Sequence, residues 1–307
     1  MNKTGWLFPG QASQKVGMGL DLYQNSNLAR KYFEISKEIM GFDITSVIFE
    51  GPESKLKKTE YTQPAIYIVS VILGYLLLEK GIKPYALAGH SLGEYSALAI
   101  AGAFDFNEGL ELVKVRSRSM ANAGLIHDGK MAAIIGMNKK NIESICSSYK
   151  GKGIVVTANY NSPDQIIISG TPDAIEWTMN LAKDSGARMT IELNVSGAFH
   201  SPLMSPAREE LAEYLNSLEI SDACFPLYTN VDAKPITKNH EIKDSLMRQL
   251  ENPVLWYKSI QNMKTDGVSS FIEVGPGKVL QGLNKRIDKS LNTNGIDTMN
   301  KLEKFIV

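Results

Sequence analysis

Tyr85-Ala86-Leu87-Ala88-Gly89-His90-Ser91-Leu92-Gly93-Glu94-Tyr95-Ser96-Ala97-Leu98-Ala99-Ile100-Ala101 decides the fold, because its periodicity changes in mid-course. Tyr85 to Ala88 reads as a short buried strand and Glu94 to Ala101 as a helix, so Ser91 falls on a strand-turn-helix corner. Glycine two places to either side of the serine removes the Cβ atoms that would collide in the tight turn. The serine is then held in a strained backbone conformation with its hydroxyl exposed at a helix N-terminus. There the free amide of Leu92 and the positive end of the helix can stabilise a developing oxyanion. Ser91 is therefore the candidate nucleophile. A chance Gly-x-Ser-x-Gly in a chain with 25 glycines is the competing explanation, and partner residues must decide between them.

The 307 residues are enough for one large α/β domain, or for such a domain carrying a smaller inserted one. Lys plus Arg (33) balance Asp plus Glu (33) without a long basic run, so no nucleic-acid partner is expected. Cys146 and Cys224 are far apart and outside any Cys-x-x-Cys spacing, which suits two structural thiols in a reducing compartment. Trp6-Leu7-Phe8 is too short for the apolar region of a secretory signal. The longest apolar stretch, Ala65 to Leu78, falls short of the ~20 residues that span a bilayer and should be a buried helix. A cytoplasmic protein without membrane contact is expected.

Thr4 to Phe8 reads as a first strand, ending in the turn Pro9-Gly10-Gln11-Ala12-Ser13-Gln14. Helical periodicity covers Leu28 to Met40, Pro64 to Glu79 with Thr62 as N-cap, and Phe106 to Ala123 with Asn107 as a possible cap. From about Leu125 the order becomes strand 131–135, helix 140–149, strand 154–159, strand 165–169, helix 172–185 and strand 188–193. That β-α-β-β-α-β order predicts a small ferredoxin-like domain at 125–196, inserted into a large domain made of 1–124 and 197–307. Beyond it come helices near 206–218, 243–249 and after Pro253, strands near 225–230 and 270–274, and a helix at 279–287. Asn294-Gly295 reads as a turn before a short terminal helix.

A serine nucleophile needs a base. His90 belongs to the elbow and points away from the neighbouring hydroxyl, while His127 and His240 sit in polar loops. His200 remains, in an irregular loop returning to the large domain, with a solvated loop histidine as the alternative. A third of the chain follows His200, and no acidic residue before it stands out as a third catalytic member. Asp105, Asp164 and Asp173 sit at turns, where caps and Asx bonds explain them. The order weakens a plain esterase reading.

Phe8-Pro9-Gly10-Gln11-Ala12-Ser13-Gln14, Gly89-His90-Ser91-Leu92-Gly93-Glu94-Tyr95, Arg116, Asn159-Tyr160-Asn161-Ser162-Pro163, Gly197-Ala198-Phe199-His200 and Glu273-Val274-Gly275-Pro276-Gly277 together resemble the ordered motifs of malonyl-CoA:acyl carrier protein transacylases. The match runs from Phe8 to Ile287. One departure is visible: Ala12 stands where the family usually has glycine. The resemblance implies an α/β-hydrolase-like large domain and a Ser91–His200 dyad, with the backbone carbonyl of Gln249 behind the imidazole. It places the oxyanion on the amides of Gln11 and Leu92. Arg116 would grip the free malonyl carboxylate through two parallel N–H donors, and Phe199 would restrict the acyl pocket. Malonyl-CoA is then a substrate, acyl carrier protein is the partner, and neither metal nor bound cofactor is implied. A discrete acyltransferase or acyl hydrolase of a polyketide synthase fits the same residues. Lys285-Arg286 could meet an acidic carrier or coenzyme A phosphates, or be merely solvated. Gly275-Pro276-Gly277-Lys278 lacks P-loop spacing and reads as a strand-helix turn.

Overall fold

The structure, a computed structural model, describes residues 3–306. Strand β1 (Thr4–Phe8) is followed by helices α1 (Leu20–Asn25), α2 (Asn27–Met40), α3 (Ile44–Phe49), α4 (Glu53–Leu56) and α5 (Thr59–Glu79). Then come β2 (Ala86–Gly89), α6 (Gly93–Ile100) and α7 (Phe106–Ile126). A second group consists of β3 (Lys130–Ile135), α8 (Lys139–Ser148), β4 (Val155–Ser162), β5 (Gln165–Gly170), α9 (Pro172–Asp184) and β6 (Met189–Glu192). The chain closes with α10 (Ser205–Ser217), β7 (Leu227–Tyr228), β8 (Pro235–Ile236), α11 (Asn239–Gln249) and α12 (Trp256–Thr265), then β9 (Ser270–Val274), α13 (Val279–Ile287), β10 (Thr293–Ile296) and α14 (Met299–Ile306).

Two sheets result. The larger has the order β10-β9-β1-β2-β7-β8 and is parallel except for the final β7–β8 pair. Its central strands are buried on both faces, which explains why Trp6-Leu7-Phe8 and Ala86-Leu87-Ala88 are unbroken apolar runs. The smaller sheet, β4-β5-β3-β6, is antiparallel throughout, and the buried residues of α8 and α9 share one core with it. This strand order is that of the ferredoxin-like unit expected from the β-α-β-β-α-β sequence. Helix α5 is long and apolar enough to cross a membrane, yet most of its length is packed inside the protein as a core helix.

The register of the large sheet positions the site. Phe8 pairs with Gly89, so the loops leaving β1 and β2 emerge side by side at the carboxyl ends of parallel strands, where α/β proteins bind ligands. Their approach is close: the His90 N–H donates to the Phe8 carbonyl at 3.0 Å.

Several sequence expectations are corrected. Helix α5 begins at Thr59, so Pro64 lies within it; Thr62 is no cap, and its hydroxyl donates to the Leu56 carbonyl. Asp105, not Asn107, caps α7, exchanging hydrogen bonds of 2.8 and 2.9 Å with Glu108 in a capping box. The expected 225–230 strand has only the two residues of β7. Asn294-Gly295 lies in β10 rather than a turn, because the open edge of β9 supplies a parallel ladder. Cys146 is half-buried, but Cys224 is exposed, so packing does not account for it.

A Cβ on Gly89 would sit 1.9 Å from the Gly93 carbonyl carbon, whereas a Cβ on Gly282, in α13, would meet nothing within 4 Å. Gly89→Ala should therefore lose more than about 3 kcal/mol of stability, while Gly282→Ala should be neutral or gain up to ~1 kcal/mol. Paired chemical denaturation checks this; equal midpoints for the two variants would contradict the packing of the elbow.

Candidate active site

Ser91 has φ of +51°, in the left-handed region that a non-glycine residue enters only under constraint. The constraint comes from both sides. A Cβ on Gly93 would lie 2.0 Å from the Phe8 carbonyl oxygen, so only glycine lets helix α6 start this close to β1. Asn230, just beyond β7, spans the turn: its Nδ2 donates to the Gly89 carbonyl at 2.6 Å and its Oδ1 accepts the Ser91 N–H at 2.7 Å.

The serine hydroxyl meets His200 Nε2 at 2.8 Å. On the other side of the ring, Nδ1 faces the carbonyls of Gln249 and Asn252 at 3.0 and 3.2 Å. Carbonyls only accept, so the proton sits on Nδ1 and the Nε2 lone pair faces the Ser91 hydroxyl. Burial first, and then the positive charge of Arg116, push the His200 pKa down to about 3, which keeps the imidazole neutral. Among the described residues no carboxylate faces His200 Nδ1: Asp105 caps α7, and Asp164 accepts from Ser162 and Arg188.

Beside the hydroxyl are two unused donors. The N–H groups of Gln11 and Leu92 have no acceptor among the described residues, whereas the Ser91 N–H is taken by Asn230. They lie in the adjacent turns after β1 and β2, as an oxyanion hole built from backbone requires. Ala12 has φ of +82°, a conformation that glycine adopts without strain, and its N–H donates to Gln14 Oε1 at 2.8 Å.

Arg116 is completely buried in α7, while Arg118 two residues on is exposed. Its NH1 donates to Gln63 Oε1 at 2.6 Å, and its NH2 donates to Gln249 Oε1 at 3.0 Å and to Ser91 Oγ at 3.1 Å. The guanidinium also lies 5.0 Å from the centre of the Tyr95 ring. These acceptors are neutral, leaving the charge available to an anion. A cavity of about 600 Å³ opens onto Ser91, with Gln11, Gln63, Leu92, Met120, Phe199 and His200 in its wall. Arg116 stands behind that wall. Phe199 is both part of the cavity lining and packed into the main core.

The structure thus brings Ser91, His200, Gln11, Leu92, Arg116, Phe199 and Gln249 together. Lys285 and Arg286 are exposed in the last turn of α13. The Gln249 carbonyl lies behind His200 as the resemblance implies, and Gln249 is also fully buried with its side-chain amide as engaged as its carbonyl. Three polar residues escaped the sequence reading. Asn230 staples the elbow, Gln63 holds Arg116, and Glu94 is a fully buried carboxylate at the start of α6. The only available signal was Glu94 itself, an acid in an otherwise apolar helix start.

A strained serine hydrogen-bonded to a buried histidine, with free amides and a buried cation beside it at the carboxyl ends of a parallel sheet, is an arrangement suited to acyl transfer. The comparisons agree. The acyl transferase domain family matches residues 5–301. A malonyl CoA-acyl carrier protein transacylase of Bacillus subtilis is 41% identical over 307 residues, covering 100% of this chain and 97% of the relative. An acyl carrier protein S-malonyltransferase from Vibrio cholerae superposes with a TM-score of 0.95 at 39% identity, covering 99% of each chain. A malonyl-transacylase solved in complex with a type II PKS acyl-carrier protein superposes with a TM-score of 0.95 at 37% identity, again over 99% of each chain. The chain belongs to the acyl transferase domain family.

Unfolded histidine titrates near 6.5 and folded His200 near 3, so the unfolded state binds more protons between these values. His200 therefore costs stability as the pH falls from about 7 to about 4. Denaturant titrations at successive pH values should show wild type losing stability relative to His200→Ala across that range. A constant difference would mean that burial does not depress this pKa.

Proposed function

We propose that this chain moves a malonyl group from malonyl-CoA to the phosphopantetheine thiol of acyl carrier protein through a malonyl-Ser91 ester, feeding fatty-acid synthesis. The observation that carries this reading is the position of Ser91 Oγ, 2.8 Å from His200 Nε2 and 3.1 Å from Arg116 NH2. The base and the carboxylate-binding cation thus converge on one nucleophile.

His200 Nε2 takes the serine proton as Oγ attacks the thioester carbonyl, and the oxyanion rests on the amides of Gln11 and Leu92. As the carbon–sulfur bond breaks, the imidazolium returns the proton to the departing coenzyme A thiol. The carrier thiol then gives its proton to His200 and its sulfur attacks the malonyl ester; as the carbon–oxygen bond breaks, the imidazolium returns the proton to Ser91 Oγ. Arg116 pairs with the free carboxylate, and Phe199 bounds the acyl pocket. Gln249 holds the histidine tautomer through its carbonyl. The reaction needs no bound cofactor and no metal, and it belongs in the cytoplasm.

We further assign 125–196 to a small ferredoxin-like domain inserted in a catalytic domain of 1–124 and 197–307. The small sheet reaches the site, since Asn161 on β4 meets His90 Nε2 at 2.8 Å. A carrier of polyketide synthesis is a second acceptor class, favoured by the solved complex of a similar transacylase with such a carrier.

Brief mixing with malonyl-CoA should leave a malonyl adduct on the intact protein, detected by denaturing mass spectrometry and absent from Ser91→Ala. An unmodified wild-type chain under conditions where transfer proceeds would falsify the covalent route. In Arg116→Ala, malonyl loading should fall about 10²- to 10⁴-fold, the equivalent of roughly 3 to 5 kcal/mol for breaking a buried pair, and acetyl loading far less. Equal losses for both acyl groups in rapid-quench loading would assign Arg116 a folding role instead.

A further inference from the structure

The side-chain amide of Gln249 is held from both ends. Its Nε2 donates to Glu94 Oε2 at 2.9 Å and to the Ser91 carbonyl at 3.1 Å, while its Oε1 accepts from Arg116 NH2 at 3.0 Å. A primary amide has two donor hydrogens and one acceptor oxygen. With both hydrogens assigned to oxygens that only accept, the amide oxygen must face the guanidinium. The flipped amide would set N–H against N–H at Arg116 and oxygen against oxygen at Glu94.

Glu94 is anchored in turn. Its Oε2 also accepts the Asn230 N–H at 3.0 Å, and its Oε1 accepts the Ser245 hydroxyl at 3.4 Å. Burial pushes its pKa up to about 7, against the opposing pull of these hydrogen bonds and of Arg116. Three helices, α6, α7 and α11, thus meet in one completely buried chain of polar side chains: Glu94, Gln249 and Arg116.

We propose that Glu94 and Gln249 are positioning residues that fix the Arg116 guanidinium for a substrate carboxylate, and so set the preference for dicarboxylic over monocarboxylic acyl groups. This inference rests on the assignment of Arg116 as the carboxylate-binding group. An arginine has four rotatable side-chain bonds, and its bidentate match to a carboxylate is lost if the planar fork turns. Gln63 holds NH1 and Gln249 holds NH2, each through a neutral amide oxygen. A carboxylate at either place would form an ion pair that the substrate must break. Glu94 lies one amide further away. In its ionised form it offsets the guanidinium charge without occupying the guanidinium face that the acyl carboxylate needs.

The test compares acyl-enzyme formation from malonyl-CoA and from acetyl-CoA in rapid-quench experiments. The proteins are wild type, Arg116→Ala, Gln249→Met and Glu94→Gln, with thermal melts to establish folding. Gln249→Met keeps the backbone carbonyl that orients His200 and nearly the same volume, so it removes only the amide. Its malonyl-to-acetyl ratio of kcat/KM should fall about 10- to 100-fold, the range expected for losing a charge-assisted hydrogen bond. Glu94→Gln can still accept from Gln249 and turn its own NH2 to Ser245, so it should fold. It no longer forces one amide orientation, and the ratio should fall by about 3- to 10-fold. Equal loss of malonyl and acetyl loading in a folded Gln249→Met, or an unchanged ratio, overturns the proposal. If Gln249→Met does not fold, Glu94→Gln decides: a lowered ratio supports the positioning role. An unchanged ratio overturns it, and so does a raised one, because a raised ratio means that Glu94 acts only by repelling the acyl carboxylate. Arg116→Ala separates the two levels. If it retains the malonyl preference, the assignment of Arg116 fails; if it loses the preference while Gln249→Met keeps it, only the positioning role fails.

Discussion

A guanidinium with no exposed surface stands at the centre of this structure, and arginine cannot shed its charge to escape burial. Its desolvation must be offset by polar groups arranged around it. Gln63 from α5, Gln249 from α11 and the Ser91 hydroxyl supply them, with the Tyr95 ring alongside. Each is itself placed by an element that has other reasons to be there. The buried cation therefore sets how α5, α6, α7 and α11 meet. It also lowers the His200 pKa further than burial alone.

The elbow supplies the second constraint. Parallel pairing of β1 with β2 sets two turns side by side, and β7 on the far side of β2 delivers Asn230 across the Ser91 turn. Strain at Ser91 is held by packing against Gly89 and Gly93 rather than by flexible contacts. The result is a serine whose hydroxyl faces His200 Nε2 while its own N–H is engaged by Asn230. The adjacent Leu92 N–H and the Gln11 N–H are left without an acceptor among the described residues.

Much of this was legible in the residues. Gly89 and Gly93 announce the elbow because only glycine fits there, and the β-α-β-β-α-β order from Lys130 to Glu192 led directly to the small sheet. His200 could be reached by elimination. The polar network behind the site could not. Glu94, Asn230 and Gln63 are common residue types whose importance comes from burial and from partners 136 to 155 residues away or 53 residues away. No local pattern marks such distances. The same holds for β10, where the edge of β9 overrides the turn preference of Asn294-Gly295, and for α5, where burial outweighs the interruption by Pro64.

Acyl transfer through Ser91, as proposed, has two separable halves, the first of which needs no carrier protein. Exchange of isotopically labelled coenzyme A into malonyl-CoA tests this in the absence of any acceptor. Label should enter malonyl-CoA at a rate comparable with overall transfer, and much faster than it enters acetyl-CoA. Exchange that appears only when carrier protein is added would contradict a free-standing malonyl-enzyme and, with it, the role assigned to Ser91.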